Sequence, residues 1–361
     1  MRILIASSGT IPGYSGGWTT ALDLLGEEHE AMYLIASART GLHEMEGVPY
    51  LGLGLGGVGD GIAFIPRRLT RMLRKLVTPM AIRWAFKKFD AHFVMCLDEA
   101  MGFRVRAMGL PYAMRFHRKI DPWVVGHPLK KLLEDALFAT ATPGADVPDV
   151  EVIPHNQDLS RFSFAPPARP EKALLLTCIN DVHQPELFIE GVCLSRSMKG
   201  DIVGTGPTRK RIERICKATA GRVRVLDPIP RLRVGELSGQ YQVGVATIIR
   251  RDKVVYQLKV NMYLACGMHT LVKPYTHIVQ EAPELVDTFS NARELADRLD
   301  YVADNWKQLE PRRKRAREWV MENYSVEIPR KRFREILRET FGEEATNSVG
   351  PGHDAGSRKS T

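Results

Sequence analysis

The sequence has no apolar run near the roughly 18 to 20 residues that a membrane-spanning helix requires. Its start, MRILIASSGTIPGYSGG, has a seven-residue apolar opening and no small-residue cleavage site, so no secretory leader is expected. Cysteine is scarce: Cys96, Cys178, Cys193, Cys216 and Cys266 are odd in number, scattered, and form no C-x-x-C pair. That excludes a disulfide framework and a cysteine-rich zinc site, and it predicts a reducing, cytoplasmic setting. D-x-D, H-E-x-x-H and G-x-x-x-x-G-K-[ST] are all missing, so neither a dedicated metal site nor P-loop chemistry is expected. Gly54, Gly56 and Gly59 do spell G-x-G-x-x-G. A dinucleotide fingerprint needs those glycines directly after the first strand, with an acid about 20 residues on. Here they lie some fifty residues in, and residues 65–89 contain no acid, so the stretch reads as a loop.

What remains is ordinary globular composition, 44% hydrophobic and 26% charged over 361 residues, enough for two domains with separate cores. Lys and Arg number 51 against 42 Asp and Glu, a net +9 that points to an anionic partner without specifying the fold.

Short apolar runs alternate with helical spacing along the chain. MRILIAS, AMYLIAS, AHFVMCL, YAMRFH and VEVIP read as strands, with helices over TTALDLLGEEHE, 67–89 and 128–138. Pro166, Pro167, Ala168, Arg169 and Pro170 form a proline-rich linker. Beyond it KALLLTCI, DIVGTGP, RVRVLDPI, QVGVATI and HTLVKPY predict more strands. PELFIEGVCLSRSM, Thr208 to Ala220, LKVNMYLACG, 291–309 and 311–340 predict helices, with Gly267 closing the third of these. The last twenty residues are polar and Gly/Ser-rich and read as disordered. The expected organisation is an α/β chain with Rossmann-like domains over 1–165 and 170–310 and C-terminal helices over 311–340.

Gly16 and Gly17 sit between the first strand and a helix, a place that suits either a tight turn or backbone contact with an anion. Asp98 and Glu99 end the AHFVMCL strand, where α/β ligands bind. Positioning an acceptor hydroxyl and serving a helix N-terminus are both open to them.

VEVIPHNQDLSRFSF, through Pro154, Asn156, Asp158 and Phe162, resembles the "viPNGvDxxxF" segment of the retaining GT-B glycosyltransferases (group 1, family 4-like). DIVGTGP resembles that family's "ivGdGP" turn through Gly204, Gly206 and Pro207. LKVNMYLACGMHTLV resembles its "sKxxEYmAcGkPVv" helix through Lys259, Tyr263, Ala265 and Gly267. The opening MRILIAS…GYSGG and the strand ending at His117 also match, all in family order from residue 1 to about 325.

The resemblance implies a GT-B fold, two Rossmann-like domains facing each other across a cleft, the first for acceptor and the second for donor, with the C-terminal helices crossing back. It implies a donor that is a UDP- or GDP-sugar, no metal, and transfer to a hydroxyl with retention. His117, Asp98 and Glu99 become catalytic candidates; Gly16, Gly17, Gly204, Lys259 and Tyr263 become donor contacts. The family's paired glutamates fall on Val254 and Met262, and its Arg/Lys pair falls in a loop that reads Asn180-Asp181-Val182-His183. Arg250, Arg251 and Lys253, next to Lys259, are the candidate replacements for that pair.

The positive charge is uneven. Arg67, Arg68, Arg71, Arg74, Lys75, Arg83, Lys87 and Lys88 stand in one acid-free helical stretch, with Leu69, Met72, Leu73 and Leu76, then Ile82, Ala85, Phe86 and Phe89, at helical spacing. Arg312, Arg313, Lys314, Arg315 and Arg317 form a second cluster. Both are expected to face an anionic acceptor at the membrane periphery or elsewhere. A lipid-linked or cell-envelope glycan is one such acceptor, and DNA carrying a hydroxylated base is another. A non-catalytic, basic nucleic-acid-binding protein is the third reading.

Overall fold

The computed structural model describes residues 1–7, 24–25, 29–35, 41–45, 48–53, 67–116, 126–143, 147–154, 156, 158–164, 171–229, 233–249 and 255–343, without the side chains of 35, 41, 45, 67–76, 237 and 238. The chain divides into two compact units, Met1–His155 with Pro329–Thr361, and Asn156–Ile328.

The first unit is built on a mostly parallel sheet. Its strands are β1 (Arg2–Ser7), β2 (Glu30–Ile35), β3 (Gly41–Met45), β4 (Val48–Gly52), β5 (Phe93–Cys96), β6 (Tyr112–Phe116), β7 (Ala139–Ala141) and β8 (Glu151–Val152), in the spatial order β3-β4-β2-β1-β5-β6-β7-β8. Strands β1, β5 and β6 are apolar at nearly every position because helices cover both sheet faces. Successive side chains alternate between two cores. Leu4, Ala6, Val94 and Met114 meet Ile82 and Ala85 of α1 (Arg67–Phe89) and Met101 and Val105 of α2 (Glu99–Ala107) on one face. Ile3, Ile5, Phe93 and Ala113 form the other face, and the cover there includes Phe333, Ile336 and Leu337 from the far end of the chain. The helix α3 (His127–Glu134) adds Leu129 and Leu132 to the first face.

The second unit has six parallel strands, β9 (Lys172–Leu176), β10 (Lys199–Val203), β11 (Val223–Leu226), β12 (Val243–Ala246), β13 (His269–Val272) and β14 (Asp287–Thr288), in the order β11-β10-β9-β12-β13-β14. Its helices are α4 (Pro185–Leu194), α5 (Arg209–Lys217), α6 (Val234–Leu237), α7 (Leu258–Ala265), α8 (His277–Glu281), α9 (Ala292–Asp304) and α10 (Glu310–Asn323). Phe188, Ile212 and Leu295 seal one sheet face through α4, α5 and α9; Val260, Leu264 and Val320 seal the other through α7 and α10. The helix α11 (Glu327–Phe341) begins at the end of this unit and supplies its body to the first.

The proline-rich segment 165–170 lies outside the described residues, but Leu159 and Phe162, upstream of it, already pack in the core of the second unit. Asn156 Nδ2 donates to the Ser325 carbonyl at 2.9 Å, also within that unit.

Of the Arg312–Arg317 cluster, Arg312, Arg313 and Arg317 turn to partners inside the unit, while Lys314 and Arg315 stay exposed. Arg312 holds Asp287 through three contacts of 3.1 Å, and Arg313 is buried over the Trp306 ring at 3.5 Å. Lys314 pairs with Glu310, and Arg317 donates to the Phe162 and Ala265 carbonyls. Backbone carbonyls and the Asp287 carboxylate thus absorb the charges of Arg312, Arg313 and Arg317, which composition alone assigns to a surface. His269 Nε2 completes the group, 2.6 Å from Asp287. Burial alone would raise the Asp287 carboxyl; the His269 hydrogen bond and the Arg312 guanidinium overrule it and hold it at about 2. Asp287→Ala, which strands both partners, is expected to cost about 3 kcal/mol and lower Tm by roughly 6–12 °C in a thermal melt. The wild-type advantage is full above the ordinary aspartate range and is lost as pH falls towards 2.

Candidate functional site

In a parallel α/β sheet ligands bind beyond the carboxyl ends of the strands. In the second unit the loop after β9 and the turn after β10 are stitched together there. Thr177 N donates to Val203 O at 3.0 Å, Ile179 N to Thr205 O at 2.8 Å, and the Thr208 hydroxyl to Ile179 O at 2.9 Å. This close approach explains both glycines of DIVGTGP. Gly204 has φ of 149°, and a Cβ there would lie 1.8 Å from the Thr177 carbonyl oxygen. A Cβ on Gly206 would lie 2.3 Å from the Ile179 oxygen.

The loop after β9 also meets the loop after β12. Ile249 N donates to Val182 O at 2.7 Å, and the Thr247 hydroxyl donates to the His183 carbonyl. Asn180 shapes the turn by accepting from His183 N at 3.1 Å.

Lys259 is the second residue of α7, whose N-cap residue Gln257 makes no side-chain capping hydrogen bond. Part of the Lys259 stem is accessible, but its ammonium nitrogen is screened from solvent and has no hydrogen-bond partner among the described residues. Burial pushes the Lys259 ammonium down to about 7, with the Cys178 thiol acting weakly the other way. His183 Nδ1 is likewise buried and unpartnered; burial, then the Lys259 charge, lowers this imidazole to about 4. Below about pH 7 the strand ends thus hold a cation that has no partner among the described residues, beside the positive end of a helix and with a neutral imidazole in its field. That arrangement favours an anion with several acceptor oxygens.

Tyr263, expected among the donor contacts, is 1% exposed. Its hydroxyl accepts from Leu176 N at 2.8 Å and faces Val245 O at 3.5 Å, so it ties β9 to β12 from inside the core. Met262, at one family glutamate position, is buried in the same core. Val254, Arg250, Arg251, Lys253, Gly16, Gly17 and His117 lie outside the described residues.

In the first unit Asp98 is the N-cap of α2. Its Oδ1 accepts from Met101 N and its Oδ2 from the Ser7 hydroxyl, both at 2.9 Å. Glu99 follows it, 3% exposed. Asp98 thus serves the helix terminus. Sequence reasoning did not single out Arg115, which is wholly buried on β6. It donates to the Thr140 hydroxyl and the Ile153 carbonyl, and burial lowers its guanidinium to about 10. Of the basic stretch, Arg83, Lys87 and Lys88 are exposed on α1, while the side chains of Arg67, Arg68, Arg71, Arg74 and Lys75 lie outside the description. Ile82 and Ala85 are core, with Phe86 and Phe89 packed against it. Among the described residues no group of His, Cys, Asp or Glu could hold a metal ion. Likewise, no described helix is long and apolar enough to cross a membrane.

No family model matches the sequence, and no curated protein sequence matches it. Solved structures do match. Sucrose-phosphate synthase from Thermosynechococcus elongatus is 15% identical, with 94% of this chain and 99% of that one covered and a TM-score of 0.68. Anabaena HepE in complex with UDP-glucose is 11% identical, covering 94% and 100%, with a TM-score of 0.67. A trehalose-6-phosphate synthase, OtsA, is 11% identical, covering 93% and 99%, with a TM-score of 0.65. At such identities the agreement speaks for the backbone, and it extends over nearly the whole chain: this protein has the GT-B fold.

Proposed function

We propose that the protein is a glycosyltransferase that moves a sugar from a nucleoside-diphosphate sugar to a hydroxyl of an anionic acceptor. The observation that carries this reading is the Lys259 ammonium, screened from solvent and without a hydrogen-bond partner among the described residues, at the start of α7, which has no side-chain cap. A diphosphate supplies the charge and the acceptor oxygens that this cation lacks. The glycine turn at Gly204 and Gly206 brings backbone close to the same strand ends. That structures of the same fold include one solved with UDP-glucose supports the donor class.

In the proposed reaction the bond from the anomeric carbon to the leaving phosphate oxygen breaks, and the acceptor oxygen bonds to that carbon on the same face. The acceptor proton passes to the departing phosphate, so retention needs no side-chain base. Lys259 and the α7 N-terminus stabilise the charge that grows on the leaving group, and no metal is required for that role. Arg250, Arg251 and Lys253 are assigned to the same diphosphate. The first unit is assigned the acceptor, with His117 directed at the transferring sugar.

The test is calorimetric titration with UDP and GDP in two buffers of different ionisation enthalpy. Binding should draw a proton onto Lys259, so close to one proton is taken up per nucleotide at about pH 8; towards pH 6 the uptake vanishes and turns to release, because Lys259 is already charged and the terminal phosphate, with a pKa of about 6, gives up its own proton. Absence of binding by either nucleotide overturns the proposal. Binding without that pH-dependent uptake removes Lys259 from the site.

A further inference from the structure

We infer that the outer face of α1 docks on the surface of an anionic lipid bilayer. The helix has two apolar stripes, and the structure uses one of them. Ile82 and Ala85 are fully buried, and Phe86 and Phe89 pack on the same core. Val77, Met80 and Trp84 form the other stripe, spaced three and four residues apart on one side of the helix. Met80 is 72% exposed, Trp84 52% and Val77 37%. Core packing accounts for none of that exposure, and the bare ridge of large side chains continues into exposed Lys87 and Lys88, with exposed Arg83 alongside.

Charge selects the occupant. The 23 residues of α1 contain eight Arg or Lys and no acid. A basic helix with tryptophan and methionine on one exposed ridge matches the interfacial pattern, in which cations meet lipid phosphates and the ridge enters the headgroup boundary. Tryptophan suits that depth because its ring is apolar and its N–H can still meet water. Nucleic acid would satisfy the cations, but Val77 and Met80 have nothing to offer a phosphate backbone. The ridge spans about 16 Å from Val77 to Lys88 at 1.5 Å per residue, enough to contact several headgroups at once. This inference goes beyond glycosyl transfer and does not depend on it, since the contact needs no nucleotide sugar.

The test is co-sedimentation of the full chain with phosphatidylcholine vesicles, with and without phosphatidylglycerol, at low and high salt. Binding is expected to the phosphatidylglycerol vesicles alone and to weaken with salt. Arg83→Gln, Lys87→Gln and Lys88→Gln together should lower the partition constant about a hundredfold. Met80→Ser with Trp84→Ser should lower it about tenfold. All five positions are exposed, so Tm should hold in these variants, and a melt verifies that each one tested is folded. The emission of wild-type protein should shift to the blue on vesicle addition, and a Trp84→Phe variant should lose that shift. No sedimentation with phosphatidylglycerol vesicles overturns the inference, as does binding that these substitutions leave unchanged. Salt-sensitive binding to duplex DNA with vesicles ignored makes the helix a nucleic-acid face and overturns it as well.

Discussion

Lys259→Met is expected to weaken UDP or GDP binding about a hundredfold while raising the melting temperature of the free protein. The two effects share one cause. In the free chain the ammonium is withdrawn from water and has no hydrogen-bond partner among the described residues, a cost that a thioether of similar length avoids. In the proposed complex the same ammonium is the charged donor to the diphosphate, and loss of such a donor from a desolvated site is expected to cost about two powers of ten. The stability gain is expected at about 1–2 kcal/mol, or roughly 2–8 °C. Its pH dependence follows from the direction of the shift. Below about pH 7 Lys259 is charged in both the folded and unfolded chain, so the wild type bears the full cost. As pH rises above 7 the folded chain sheds the proton first, and the gap between variant and wild type closes towards the ordinary lysine value. Melts across that range, set beside nucleotide titrations, check both halves. A variant that binds nucleotide normally would sink the role of Lys259, whatever its stability.

Gly204→Ala carries the largest expected loss of stability. The residue has φ of 149°, where an L side chain is strained, and the new methyl would sit 1.8 Å from a backbone oxygen of Thr177. No flexible side chain can yield there; the loop after β9 would have to move. That movement would break the Thr177–Val203 and Ile179–Thr205 hydrogen bonds that join the two loops. A cost of about 4 kcal/mol or more is expected, lowering Tm of the second unit by roughly 8–16 °C. Because the displaced loop carries His183, a variant that still folds should also lose nucleotide affinity. A melt and a titration on one preparation separate these outcomes.

Much of this architecture is legible in the sequence because buried parallel strands read as apolar runs. ILIAS, FVMC, KALLL and VGVA are strands where expected, and the helix over 67–89 has the predicted bounds. The antiparallel hairpin of β3 and β4 is not legible, since GLHEM and VPYLG lack both an apolar run and clean alternation. Family spacing singles out Lys259, but nothing in the spacing says that its nitrogen is buried without a partner. Tyr263 matches the same motif for a different reason, as a tie between strands. The Arg312–Arg317 cluster shows how charge composition misleads: whether a guanidinium meets solvent or a carbonyl is decided by tertiary packing. The exposed ridge on α1 was within reach, since the spacing of Val77, Met80 and Trp84 is plain once the opposite stripe is known to be core.

The helix that covers one face of the first sheet is encoded after the whole of the second unit. During synthesis the uninterrupted run 156–328 leaves the ribosome complete and free to fold. The earlier-made sheet has Leu24 and Leu25 on the face of Ile3, Ile5, Phe93 and Ala113, but the rest of that cover is missing until Phe333, Ile336 and Leu337 emerge. Chains usually mature from their start. Here the amino-terminal unit cannot complete its core until the end, and the interval in which that face is only partly covered lasts at least as long as translation of the other unit.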